Sequence, residues 1–261
     1  MFSDAERCVY RKHQLIEVLC QLRFPAILKI ENQSPYEFQE LIRKDYPNYS
    51  VREERLPPKP GAQPGTPPPT VKNHQFISLD GGWKVNLTQD FISLSSRRYT
   101  RWEEFAKRLD RILAHLIGTY HPACFTRIGL RYINAINKKQ LDLEDTPWRE
   151  LLMPAYLGLM GEEDVPENAF TKMEQTVNLM LPGGCRSNIK CGKGALRKVH
   201  NKTRAVVEEP VFMLDIDAYM EGNNELSHVA PALNVVHGNA DSLFRAAITD
   251  TLHDAMDPQQ I

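Results

Sequence analysis

The clearest alternation of hydrophobic and polar positions lies between residues 83 and 134. Residues 83–87 and 91–95 each alternate apolar and polar side chains, a period of two that is typical of half-buried strands. From Trp102 to Tyr120, apolar residues recur at steps of three and four, which predicts an amphipathic helix. Residues 126–134 alternate again. This part of the chain therefore predicts two adjacent strands, a long helix and a return strand.

Both ends of the predicted long helix carry recognisable signals. Thr100 and Glu103 have the spacing of a capping box, in which the Thr100 hydroxyl accepts from the Glu103 amide and Glu103 reaches back. His121-Pro122 predicts the end, because proline disfavours the helical conformation of the residue before it.

The first half of the chain has a definite order of predicted elements. A strand at 15–24 precedes a helix that begins at Ser34-Pro35, with serine as the cap and proline in the first turn. Strands at 50–56, 74–80, 83–87 and 91–95 then lead into the long helix. Strand, helix, four strands and long helix make up one α+β unit, residues 1–125.

The second half repeats this order. A strand at 126–136 and a short helix near 147–152 precede strands at 172–181, 188–197 and 211–218, and helical periodicity follows from Leu226 to Leu252, with a break at Gly238-Asn239. We therefore predict a second unit, residues 126–261, and a compact tandem repeat whose long helices pack on a curved antiparallel sheet. By analogy, this is the order of the TATA-binding-protein fold.

A proline-rich segment interrupts the first unit. Residues 57–69 hold seven prolines, which remove backbone donors and fix φ, so a solvated connector between strands is expected. Pro57-Pro58-Lys59-Pro60 could alternatively be a ligand for a proline-recognising domain.

Composition narrows the class of protein. The apolar fraction is 42%, the charged fraction 25% and the formal charge −1, so a nucleic acid or an anionic membrane would need a local basic patch. Neither a secretory signal nor a membrane-spanning run is recognisable. Five scattered cysteines fit reduced thiols. We expect a cytoplasmic protein with no membrane partner.

Three segments together resemble a known family. They are the 83–105 region with Tyr99-Thr100-Arg101-Trp102-Glu103-Glu104-Phe105, the strand Thr126-Arg127-Ile128-Gly129-Leu130-Arg131-Tyr132-Ile133-Asn134, and the C-terminal Ile248-Thr249-Asp250. The chain resembles a sporadically distributed prokaryotic family of similar length, to which no activity is assigned. The resemblance implies a cytoplasmic protein of bacteria or archaea and supplies no catalytic residues.

The strongest local anomaly in charge is a basic, glycine-containing segment near residue 190. Such a hairpin could grip phosphates, because each Lys or Arg contact releases condensed counterions. Its Gly192-Lys193 is not a nucleotide-binding phosphate loop, because Ser187 stands where the first glycine should be and Gly194 where Ser or Thr should be. A solvated loop is the alternative. The basic residues are Arg186, Lys190, Lys193, Arg197, Lys198, Lys202 and Arg204.

Arg98 and Arg101 form a second candidate anion site. They flank Tyr99 at the predicted start of the long helix, where backbone amides favour anions and arginine beside an aromatic ring can stack a base. Trp102 belongs to the core stripe, so we expect it to be buried.

Two groups invite a metal interpretation. Cys185, Cys191 and His200 have the wrong spacing for zinc and lack a fourth ligand. Asp215 and Asp217 share one face of a strand and could bind a divalent metal. They could instead meet the arginines that share one face of strand 126–134, Arg127 and Arg131, in a structural ion network.

These observations leave three functional hypotheses. The first is a non-catalytic binding protein that engages nucleic acid or an acidic protein through the basic hairpin. The second is a metal-dependent enzyme using Asp215 and Asp217, and the third a small-molecule binder with a cavity between sheet and long helices. No cofactor is predicted, and a nucleophile elbow, a dinucleotide fingerprint and an HExxH motif are all absent from the sequence. A homodimer is left open.

Overall fold

The computed structural model describes residues 8–55, 68–199 and 206–260. The fold is α+β with antiparallel sheets. Its strands are β1 (Cys8–Tyr10), β2 (Leu15–Arg23), β3 (Asn48–Arg55), β4 (Thr70–Ile77), β5 (Trp83–Leu87), β6 (Phe91–Ser96), β7 (Phe125–Ile136), β8 (Glu174–Met180), β9 (Arg186–Val199), β10 (Val206–Asn224) and β11 (Pro258–Gln260). Its helices are α1 (Leu28–Asn32), α2 (Tyr36–Ile42), α3 (Trp102–Tyr120), α4 (Trp148–Leu151), α5 (Pro154–Leu157), α6 (Val229–Ala247) and α7 (Asp250–Ala255).

The described residues divide into two compact units. The N-terminal unit has residues 19–55, 68–128 and 221–230, and the C-terminal unit has residues 8–18, 129–199, 206–220 and 231–260. The sequence predicts a boundary between residues 125 and 126, and in the structure the main division falls after residue 128.

In the N-terminal unit, strands β3-β4-β5-β6 lie side by side in antiparallel pairs. Residues 19–23 of β2 lie next to β6 in the sheet. The predicted helical stripe is confirmed, because α3 buries it against the sheet and Phe105 packs on Trp83 with ring centroids 5.8 Å apart. Phe38 of α2 packs on Phe76 of β4 at 5.7 Å. The buried residues of α3 are Trp102, Phe105, Leu109, Ile112, Leu113 and Leu116.

In the C-terminal unit the strand order is β7-β10-β9-β8. β9 and β10 form a long antiparallel hairpin in which Lys193 lies opposite Phe212 and Lys190 opposite Asp215. Alternate residues face opposite sides. The side covered by helices, here called the helix face, carries Ile189, Cys191, Lys193, Phe212, Leu214 and Ile216, and the outer face carries Asn188, Lys190, Gly192, Met213, Asp215 and Asp217.

The predicted N-cap residues of α2 and α3 are wrong. α3 has Arg101 at its N-cap with no side-chain hydrogen bond, and the Thr100 hydroxyl donates to the Glu104 carboxylate at 2.8 Å. A carboxylate oxygen is a strong acceptor, so the Thr100 hydroxyl donates its hydrogen bond to Glu104 in the first turn of α3 and does not cap the helix. α2 has Pro35 rather than Ser34 at its N-cap.

The predicted break at Gly238-Asn239 is also wrong. α6 runs through both residues, and the Asn239 side-chain NH2 donates to the Val235 carbonyl one turn earlier at 2.8 Å. A glycine inside a helix costs only about 1 kcal/mol relative to alanine, which packing can offset. The break comes later, where Thr249 caps α7 by accepting from the Leu252 amide.

One strand boundary moves for a local reason. The predicted strand 74–80 is β4, which ends at Ile77, because Asp80 accepts from the Ser78 hydroxyl at 2.6 Å and from the Gly82 amide at 3.0 Å. These bonds close a turn, with Gly81 at φ +68. Most of the proline-rich segment, residues 57–67, lies outside the described residues.

All five cysteines are free thiols, as the sequence predicts. Within the described ranges, none of the helices is long and apolar enough to cross a membrane.

Candidate functional site

The C-terminal unit contains a cavity of about 410 Å³. This volume is in the range of small-molecule sites, about 300 to 1,000 Å³. The cavity lies where the ends of β7 and β10 and the middle of β9 meet the connection between β7 and β8. Its walls are Asn137, Lys138, Lys139, Glu144, Trp148, Glu167, Asn168, Lys193, Glu209 and Pro210.

Asn137 builds one wall of the cavity. It follows the last residue of β7, is 2% exposed, and its side-chain oxygen accepts from the amides of Lys139 at 3.0 Å and Gln140 at 3.4 Å. Asparagine is a preferred cap because its short side chain reaches these amides. Its side-chain NH2 donates to Glu209 at 2.8 Å. Asn137 thus begins the turn that carries Lys138 and Lys139, and its side chain also binds the Glu209 carboxylate of β10.

Glu167 joins three parts of the wall. Its carboxylate accepts from the Trp148 backbone amide, an unpaired donor at the start of α4, and from the Lys138 ammonium at 3.2 Å. The Lys138 ammonium also lies 4.5 Å from the centre of the Trp148 ring, within cation–π range. Trp148 in turn packs on Phe212 at 5.5 Å.

Lys193 enters the cavity from the helix face of β9. Its ammonium donates to the backbone carbonyls of Glu167 at 3.1 Å and Phe170 at 2.8 Å. An ammonium has three donors, so these two bonds leave one for another acceptor. In contrast to the Lys138 ammonium, that of Lys193 forms no ion pair with any carboxylate of the described residues.

Gly192 explains how Lys193 reaches those carbonyls. A Cβ atom at residue 192 would lie 2.0 Å from the Met173 carbonyl oxygen, which accepts from the Lys193 amide at 3.0 Å. Only glycine allows this close approach of the two backbones. Gly192-Lys193, which is not a phosphate loop, therefore joins β9 to the segment that supplies the acceptors.

The structure places the described residues of the predicted basic hairpin on both faces of β9. Arg197 forms an ion pair with Glu208 at 2.7 Å, Lys190 is exposed opposite Asp215, and Arg186 is exposed near the start of β9. Lys193 points to the other face. For Lys198 only the backbone is described, and Lys202 and Arg204 lie outside the described residues.

Arg98 and Arg101 lie in the N-terminal unit. Arg98 pairs with Asp80 at 3.1 Å and covers Gly82. Arg101 is exposed at the N-cap of α3, and Trp102 is 7% exposed, as predicted from the helical stripe.

The proposed ion network across the sheet is present in part. Arg131 of β7 donates to both carboxylate oxygens of Asp215, at 2.7 and 2.5 Å. This bond raises the pKa of Arg131, so the guanidinium stays charged. A metal at Asp215 and Asp217 would have to displace that guanidinium. In the part of the chain that the structure describes, which excludes His200, no three His, Cys, Asp or Glu side chains form a metal-binding cluster.

Sequence reasoning missed most of the cavity wall. The signal that was available is Asn137 directly after an alternating strand, followed by two lysines. Glu167 had no comparable signal, because it lies in an acidic loop with no periodicity.

No family model matches the chain, and no curated protein matches it. The family resemblance based on residues 83–105, 126–134 and 248–250 therefore stays a prediction.

Proposed function

We propose that the C-terminal unit binds a small organic anion in the cavity of Lys193. The single observation that carries this proposal is the Lys193 ammonium, which faces the cavity with one unused donor and with no carboxylate partner in the described part of the chain. A charge removed from water without a partner is unfavourable, and a ligand carboxylate or phosphate would supply one.

Three carboxylates line the cavity, and two of them, Glu167 and Glu209, are engaged by donors of the protein, whereas Glu144 is the third. Glu167 is engaged by Lys138 and the Trp148 amide, and Glu209 is engaged by Asn137. Their negative charges are therefore directed to donors of the protein, whereas the positive charge of Lys193 is directed to neutral carbonyls. Trp148 and Pro210 offer apolar wall for the body of the ligand.

The test uses the full chain and a panel of small carboxylates and phosphate esters. Thermal shift identifies binders and titration calorimetry measures their affinity. Lys193→Met should weaken binding by about tenfold or more, because a hydrogen bond to a charged group contributes about 1.5–3 kcal/mol. The matched control is Lys190→Met, three residues away on the outer face, which should change affinity by less than about twofold.

A second variant keeps the proposal testable if Lys193→Met disturbs the fold. Asn168→Trp adds bulk at an exposed position of the cavity wall and leaves every hydrogen bond of Lys193 in place. It should abolish binding. If no member of the panel binds, or if Lys190→Met weakens binding as much as Lys193→Met, the proposal is wrong.

A nucleic-acid interface remains the second candidate, because Arg186 and Lys190 lie on the same face of β9 and are both exposed. Reversing both charges should then reduce retention on labelled oligonucleotides and flatten its salt dependence. Arg197, which is already paired with Glu208, is the matched control. Equal retention of all three proteins would contradict this candidate.

We also propose that the two units are a tandem repeat of the TATA-binding-protein type. The element order supports this proposal, because each unit has a first strand, short helices, a set of antiparallel strands and a long helix. In one unit these are β2, α1 and α2, β3–β6 and α3, and in the other they are β7, α4 and α5, β8–β10 and α6. In each unit the first strand lies beside the last strand of the meander. An experimental structure in which the two sets fail to superpose would contradict it.

A further inference from the structure

β8 is the last strand in the order of the C-terminal unit, and within the described residues it pairs with β9 alone. Natural proteins protect such edges with charges, prolines or bulges. β8 has the sequence EQTVNLM, with one charged residue and no proline. The edge strand of the N-terminal unit, β3, has the sequence NYSVREER, with four charged residues. β8 is therefore the unprotected edge of the two.

Apolar side chains are exposed along the same strand. Val177, at its centre, is 40% exposed and Met180, at its end, is 86% exposed. An exposed edge with β-branched and apolar side chains is a template for another strand.

We propose that β8 pairs antiparallel with β8 of a second copy of this chain, about a two-fold axis at Val177. A two-fold interface requires a self-complementary strand. This register places Val177 opposite Val177, Thr176 opposite Asn178, Gln175 opposite Leu179 and Glu174 opposite Met180. No like charges meet, and like charges directly opposite each other would be unfavourable.

The neighbouring strand adds charge complementarity. Met180 pairs with Arg186 of β9, so the two side chains lie on the same face of the sheet. In the proposed dimer, Glu174 lies opposite Met180 of the second copy, and Arg186 of the second copy is one strand further, about 10 Å away between Cα atoms. Both side chains are long enough to meet across that spacing, and Glu174 would make this contact in addition to its ion pair with Lys172 of its own chain at 2.6 Å. The two-fold axis generates this contact twice.

The test is the molar mass of the full chain in solution, measured by light scattering across micromolar concentrations. We expect a concentration-dependent dimer that Val177→Lys converts to a monomer, because the axis places two lysines directly opposite each other. The matched control is Val51→Lys, an exposed valine on edge strand β3, which should leave the dimer intact.

A second variant reports the register without adding charge. Val177→Cys should give a covalent dimer under mild oxidation, because directly opposed residues of antiparallel strands have Cβ atoms about 4.5–5.5 Å apart. Met180→Cys, which the register places far from its symmetry mate, should give little. A monomer at every concentration, a dimer that survives Val177→Lys, or equal cross-linking of both cysteine variants would overturn the proposal.

Discussion

Lys190 and Lys193 lie three residues apart on one strand, yet their surroundings differ completely. Lys190 is on the outer face, exposed and opposite an aspartate. Lys193 is on the helix face, half-buried and held by two carbonyls inside a cavity. Both lysines belong to the same basic segment of the sequence. The comparison therefore teaches that the face of the strand on which a charged residue lies decides which groups it contacts.

The largest expected effect separates the two faces of β10. Leu214 on the helix face is fully buried, and Met213 on the outer face is half-exposed. Leu214→Ala should lower the free energy of unfolding by about 3 kcal/mol, because it removes buried methyl groups and leaves a cavity. Met213→Ala should cost less than about 1 kcal/mol. Urea unfolding measures both, and equal losses would break the comparison.

A smaller effect concerns Cys191, which is 5% exposed on the helix face of β9. Burial raises the pKa of Cys191 to about 11. The unfolded thiol ionises first, so above its pKa of about 8.5 the unfolded state gains stability and the fold loses about 1.4 kcal/mol per pH unit.

This loss should stop once the folded thiol also ionises. Chemical unfolding at a series of pH values from neutral to alkaline would show it as a steeper decline in the wild type than in Cys191→Ala. If the two proteins decline in parallel, the helix face does not exclude water at Cys191.

The smallest effect is on the outer face, at the Arg131–Asp215 pair. The side chains are 39% and 14% exposed, so solvent screens the pair in part. A double-mutant cycle with Arg131→Ala and Asp215→Ala should give a coupling of about 1 kcal/mol, reduced at high salt. A coupling indistinguishable from zero would leave the outer face without a structural ion pair.

Local periodicity predicted much of the fold. The strands β2, β5, β6 and β7 and the stripe of α3 lie within a few residues of their predicted positions. Each depends on neighbours within a few residues, which is the range over which alternation and helical spacing act. The predictions of the helix caps and of a break in α6 were wrong because local sequence allows several helix ends. Competing hydrogen-bond acceptors and packing then decide which of these ends forms.

Local sequence patterns could not predict the cavity. Asn137, Glu167 and Lys193 are each separated by more than 20 residues, and no spacing rule connects them. The described residues of the predicted basic cluster lie on both faces of β9 because it is a strand, on which successive side chains point to opposite faces.

The sequence by itself determined that this chain forms an α+β fold with antiparallel strands and long amphipathic helices, because those patterns are short-range properties of the polypeptide. Only the tertiary structure decided which charges are paired, which carbonyls hold Lys193 and that the strand with a single charge, β8, is an edge strand, because pairing depends on strand register and on segments that are distant in the chain.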